Sequence, residues 1–178
     1  MLNASSISEA QLKPLESRIA DVFSVQTTLL QETLNLERVF DASRGQYNST
    51  GILAQQLGKY SNQKDKLVTL VDVDLFIPVL TFVFGEAQLN GPMAVVSMYR
   101  LMNEFYGIPP SRPVLIQRIE KEIIHELGHT FGLYHCRQFE CVMRSSTYVE
   151  EIDLKRSDLC PDCHRQLSDL LRNLSQSL

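Results

Sequence analysis

No run of apolar residues in this chain is long enough to cross a membrane. The most apolar stretch, LFIPVLTFVFG over residues 75–85, falls well short of the roughly 20 residues a spanning helix needs, and Pro78 interrupts it. An excess of basic charge is missing too. Seventeen Lys and Arg against 21 Asp and Glu leave a formal charge of −4, with no basic stripe to follow a phosphate backbone. Nucleic-acid binding is therefore not expected. The opening residues MLNASSISEA carry neither a basic nor an apolar segment, so no secretion signal is expected and the protein is placed in the cytoplasm. Histidine and cysteine are scarce, with four of each, and their positions carry most of the information.

What is present suits one soluble domain. A chain of 178 residues, 44% apolar and 21% charged, can bury a real core. Residues 8–23 place Leu12, Leu15, Ile19 and Phe23 at helical spacing, with Ser8 able to cap the start and Pro14 fitting near the first turn. Residues 24–30 are β-rich, 41–50 read as a polar loop, and GILAQQLGKYSN over 51–62 reads as a second helix. The run KLVTLVDVDLF over 66–76 is the strongest strand signal. Further strands are expected over 80–87 and 93–101, separated by a turn at Asn90, Gly91 and Pro92. After the break GIPPSRP, Leu115, Ile119, Ile123 and Leu127 share one face of a long helix.

That helix ends in HELGHTFGLYHC, residues 125–136, which holds three of the four histidines. A helix brings residues i and i+4 to the same face, so His125 and His129 can converge on one ion. Glu126 lies about 100° around the helix, where its carboxylate sits beside the metal and can act as a general base. Gly132 can adopt the left-handed backbone that ends a helix and turns the chain, returning His135 to the same ion. Three neutral imidazoles with one open position suit zinc. The same set also suits iron, cobalt or nickel.

The cysteines Cys136, Cys141, Cys160 and Cys163 follow in the pattern C-x4-C and C-x2-C. In a reducing compartment such a set more often binds metal than forms disulfides. Four thiolates complete a tetrahedral zinc and leave no vacancy for substrate, so this site is expected to be structural. The pair Cys160-Pro161-Asp162-Cys163 could instead be a redox motif. Such a motif belongs at a helix start in a βαβ setting, and here it trails the chain behind two other cysteines.

Taken together, residues 124–164 resemble the archaemetzincins, a family of metzincin zinc metallopeptidases with the signature H-E-x-x-H-x-x-G-x-x-H-C-x4-C-x-M…C-x-x-C. SRGQYNST, LVTLVDVDLF and FVFGEA upstream are also similar to what that family carries. The resemblance implies that His125, His129 and His135 bind a catalytic zinc with Glu126 as general base. It implies that Met143 forms a hydrophobic floor under the metal, the Met-turn, and that the four cysteines hold a second, structural zinc. The order of elements points to an α/β fold: a mixed twisted sheet packed with helices, including the long active-site helix, and a small irregular C-terminal subdomain, which the cysteines would bind to zinc. The division falls between residues 1–135 and 136–178 within one compact domain. One departure is that the family begins with a strand, whereas MLNASSI is short and polar and leaves that strand open.

The expected activity is peptide-bond hydrolysis by a monomer acting on a peptide or protein. The substrate would be added as a strand to a sheet edge near residues 82–88. The competing reading is a zinc-stabilised binding module with little or no hydrolysis. All four cysteines follow the motif, so no cysteine-switch pro-segment is expected. Asp72 and Asp74 are read as local hydrogen-bonding groups, His164 as a surface residue, and Arg144, Tyr148 and Tyr134 as packing or solvent-facing.

Overall fold

Residues 1–60 and 65–176 are described by the structure, a computed structural model. In chain order they begin with β1 (Leu2–Ala4), α1 (Glu9–Phe23), β2 (Leu30–Gln31), β3 (Phe40–Asp41), β4 (Gln46–Asn48) and α2 (Ser49–Lys59). Then come β5 (Leu67–Val71), β6 (Leu75–Phe76), β7 (Gly85–Ala87), β8 (Met93–Ser97), α3 (Arg112–Thr130), α4 (Val149–Leu154) and α5 (Pro161–Gln176). No helix among the described residues is long and apolar enough to cross a membrane.

The main sheet runs β2-β1-β5-β8-β7. Its first four strands are parallel, and β7 closes the row antiparallel to β8. The central strands β5 and β8 are buried at every residue, as parallel strands covered on both faces should be. Their side chains alternate. Val68, Leu70, Ala94 and Val96 join a core with α1 and α3, while Leu67, Val71, Met93 and Val95 join one with Ile52 and Leu53 of α2. The sheet is thus mixed and sandwiched by helices, the expected α/β architecture.

Several expectations are refined. MLNASSI does contain the first strand. Leu2, Asn3 and Ala4 pair with Thr69, Leu70 and Val71, and β2 lies on the other side. Three residues are too few to display an alternating pattern. Asn3, a poor strand former, is buried because its side chain holds the next turn, donating to Ile7 O at 2.8 Å and accepting from Ser5 N. The polar stretch 41–50 is not all loop. It holds most of a small second sheet, β3-β4-β6, in which Gln46 is buried and donates to Asp74 and Thr81 O. Pro14 sits one turn deeper in α1 than expected. The strand expected over 80–87 contracts to β7, and that over 93–101 to β8 followed by a tight turn at Tyr99–Leu101. Helix α2 starts earlier, at Ser49, where the Asn48 side chain accepts Gly51 N–H; Ser61 and Asn62 of the expected helix lie outside the described residues. After residue 135 no strand occurs among the described residues, and two helices, α4 and α5, occupy that region.

Candidate active site

Helix α3 delivers His125 and His129 from its last turns with their Nε2 atoms 3.2 Å apart. Each Nδ1 meets a backbone carbonyl, Val142 O at 2.8 Å for His125 and Leu133 O at 2.7 Å for His129. A carbonyl only accepts, so each Nδ1 carries the proton and each Nε2 keeps its lone pair for an ion. The helix then ends in a double closure: Gly132 N–H bonds to His129 O and Leu133 N–H to Gly128 O. That pattern needs a left-handed residue after the helix, and Gly132 supplies it with φ +101°. The reversed chain stacks His135 on His125, ring centroids 5.3 Å apart.

One ligand atom from each of the three histidines lies within 4.8 Å of the others. Tetrahedral zinc with bonds of about 2.0–2.1 Å separates its nitrogens by about 3.4 Å, so this set could hold zinc with little adjustment. Burial, ahead of neighbouring positive groups, pushes the pKa of His125 well down; His129 and His135 are lowered by burial too. Each shift favours the neutral imidazole, the form that ligates.

Glu126 points off the same turn and is buried. Burial, reinforced by the nearby carboxylates of Glu122 and Glu86, raises its pKa well above the usual glutamate value. A dication held by the histidines would oppose that shift. Its carboxylate fits against the main chain of β7 because position 85 is glycine. A Cβ there would lie 2.6 Å from Glu126 Oε1 and 2.8 Å from Val95 O. In the sequence Gly85 reads only as part of an edge strand, with no role at the site. The available signal was a glycine inside the strand-like run FVFGEA, which often marks a close approach. We expect Gly85→Ala to shift Glu126 and the edge strand by a fraction of an ångström. The rate of peptide cleavage should drop about 10-fold while bound zinc, measured by native mass spectrometry, stays at the wild-type level.

Gly128 makes a second such space. Met143 is fully buried, and a Cβ at Gly128 would come within 2.4 Å of its sulfur, so the glycine gives Met143 room to pack against α3. The turn carrying Met143 is tied by its carbonyls. Val142 O accepts from His125, Met143 O from Cys136 N–H, and Arg144 O from the Lys155 ammonium at 2.9 Å.

Next to this turn the four cysteines come together, their sulfurs within 4.8 Å of one another. Cys136 pairs with Cys160 and Cys141 with Cys163, each at 3.8 Å. A disulfide needs about 2.05 Å, whereas zinc–sulfur bonds of about 2.3 Å in a tetrahedron put sulfurs about 3.8 Å apart. The Cys160-Pro161-Asp162-Cys163 segment does open helix α5, yet each of its sulfurs faces an upstream cysteine. Burial raises the thiol pKa values of Cys141 and Cys163, so an ion binding here displaces protons.

The remaining candidates lie elsewhere. Asp74 forms a two-pronged ion pair with Arg100, and Asp72 accepts from Ser6 N–H. His164 is exposed, Tyr134 and Tyr148 are 70% and 65% exposed, and Arg144 lies over the Phe139 ring. Strand β7 is one of the two edge strands of the main sheet. Ser97 N–H bonds Phe84 O and Gln88 N–H bonds Met93 O, so by the alternation of an antiparallel ladder Gly85 and Ala87 turn their N–H and C=O groups away from β8.

The pattern of peptidase family M54 matches residues 23–169. An archaemetzincin of Methanocaldococcus jannaschii is 38% identical over 163 residues, covering 92% of this chain and 88% of that one. Among solved structures, a zinc-dependent peptidase from Methanocorpusculum labreanum superposes with a TM-score of 0.85 at 30% identity, covering 93% of this chain and 97% of that one. An archaemetzincin from Methanopyrus kandleri superposes with a TM-score of 0.82 at 30% identity, covering 96% and 94%.

Proposed function

Because the chain belongs to peptidase family M54, the archaemetzincins, and is a zinc metallopeptidase, we propose that it hydrolyses peptide bonds at the three-histidine centre with Glu126 as general base. The observation that carries this reading is the position of Glu126. Its carboxylate follows His125 on α3 and lies against Gly85 of β7, an edge strand of the main sheet.

When bound by His125, His129 and His135, zinc supplies a Lewis acid that polarises a carbonyl and acidifies water. Glu126 takes the proton of the attacking water and later gives it to the departing amine nitrogen. Gly85 and Ala87 offer N–H and C=O groups to an extended substrate, which adds as a further strand and sets its scissile bond beside Glu126. Val142 O and Leu133 O hold the His125 and His129 rings in the tautomer that ligates. Cys136, Cys141, Cys160 and Cys163 hold a second zinc, a reading supported by the sulfur spacing; Gly132 and Met143 support the first site. The protein works as a monomer in the reducing cytoplasm, with residues 1–135 and 136–178 as the two parts of one unit.

Native mass spectrometry on protein purified without added metal tests this, followed by cleavage of a peptide library. Two zincs per chain are expected, one released readily to a chelator together with all cleavage, and cleavage returning when zinc is restored. A chain that fills both sites and cleaves no peptide would instead be a zinc-stabilised binding module.

A further inference from the structure

On the proposed three-histidine centre rests a further assignment: we infer that Lys155 is a positioning residue for this reaction, pinning the Met143 turn and, through Val142 O, the ring of His125. Lys155 is 3% exposed. Its ammonium donates to Arg144 O at 2.9 Å and to Val142 O at 3.4 Å, the carbonyls on either side of Met143. Val142 O is the same oxygen that takes the Nδ1 proton of His125. Lys155 thus holds a carbonyl that orients a candidate ligand and braces the turn whose methionine fills the space at Gly128.

The lysine is itself placed by the active-site helix. It caps the C-terminal end of α4, and α4 is tied back to α3. Arg118 forms a two-pronged pair with Asp153, and the Lys121 ammonium donates to Ile152 O and Asp153 O. One turn before Glu126, Glu122 of α3 sits 3.4 Å from the Lys155 ammonium, also buried. The path therefore closes on itself: α3 fixes α4, α4 presents Lys155, Lys155 fixes the Met143 turn, and the turn fixes His125 on α3. Glu122 supplies the counter-charge that makes an interior ammonium tolerable, while the two carbonyls do the positioning.

These two roles separate in a three-variant experiment on the zinc-loaded protein. Lys155→Met keeps the volume but strands the Glu122 carboxylate without its partner, so both melting temperature and zinc affinity at the histidines should fall. Affinity, measured by chelator competition, is expected to fall about 10- to 100-fold, the range for losing a group that orients a ligand. Glu122→Gln alone keeps both carbonyl bonds of Lys155 and should leave that affinity within twofold of wild type. The double variant leaves neither member of the Lys155–Glu122 pair stranded, so its melting temperature should recover. Its histidine-site affinity should stay low, with kcat reduced at unchanged KM, and cobalt(II) loaded at the histidines should show an altered absorption spectrum. Recovery of affinity and spectrum together with stability would make Lys155 a charge partner only and overturn the assignment. Wild-type affinity in Lys155→Met would do the same. A double variant that failed to fold would make Lys155 a residue of the fold rather than of the site, again overturning it. Absence of zinc at the histidines in the wild type would instead refute the proposed function.

Discussion

Glu126→Gln should yield a protein that folds, holds its zinc and cleaves peptide at about 10²- to 10⁴-fold lower kcat, the usual worth of a positioned general base. Glutamine has nearly the shape of glutamate, so it still fits the space left at Gly85 and disturbs neither α3 nor the edge strand. What it cannot do is accept a proton. The imidazoles keep their carbonyl partners at Val142 and Leu133, so the metal site is unaffected by the change. Cleavage rates measured at full zinc occupancy, confirmed by native mass spectrometry, separate loss of the base from loss of metal. A zinc-loaded variant turning over at the wild-type rate would place the proton acceptor elsewhere while leaving the family assignment intact.

The largest effect on stability should come from Cys163→Ser. Cys163 and Cys141 are 4% and 2% exposed and belong to the main apolar core, which also contains Met143 and Ile152. In a knot held by zinc, much of the local folding free energy is the free energy of binding the ion, and removing one thiolate forfeits a large part of it. A loss of about 4–5 kcal/mol, typical of losing a structural metal, corresponds to a fall in Tm on the order of 10 °C for a chain of this size. The damage should also reach the histidine site. Cys136 follows His135 directly and its N–H bonds to Met143 O, so a loosened knot frees both the third histidine and the turn. Scanning calorimetry with metal analysis checks both effects. Two zincs retained at an unchanged Tm would mean that the cysteines do not form the brace assigned to them.

The grouping of His125, His129 and His135 was legible from residue spacing because it depends on one helix and one turn. The 3.6-residue period places His125 and His129 together, and the backbone freedom of Gly132 returns His135, all within eleven positions. The cysteine cluster was legible for a different reason. Four thiols in two close pairs have few other stable uses in a reducing setting. The strongly apolar β5 and β8 were likewise readable, since burial on both faces leaves a continuous run of apolar residues.

Strand β1 was not legible, because three residues show no periodicity and Leu2 becomes a strand residue only when β2 and β5 flank it. Gly85 and Gly128 look like ordinary small residues until Glu126 and Met143 arrive from 41 and 15 positions away. Lys155 and Glu122 look like charges on solvated faces until α4 folds back on α3 and encloses them. Covalent spacing along one helix sets which side chains share a face, and that much is written in the order of residues. Which distant group fills the space beside a glycine, or takes up a buried carbonyl, is settled only when separate elements pack, because close packing couples atoms that the chain itself keeps far apart.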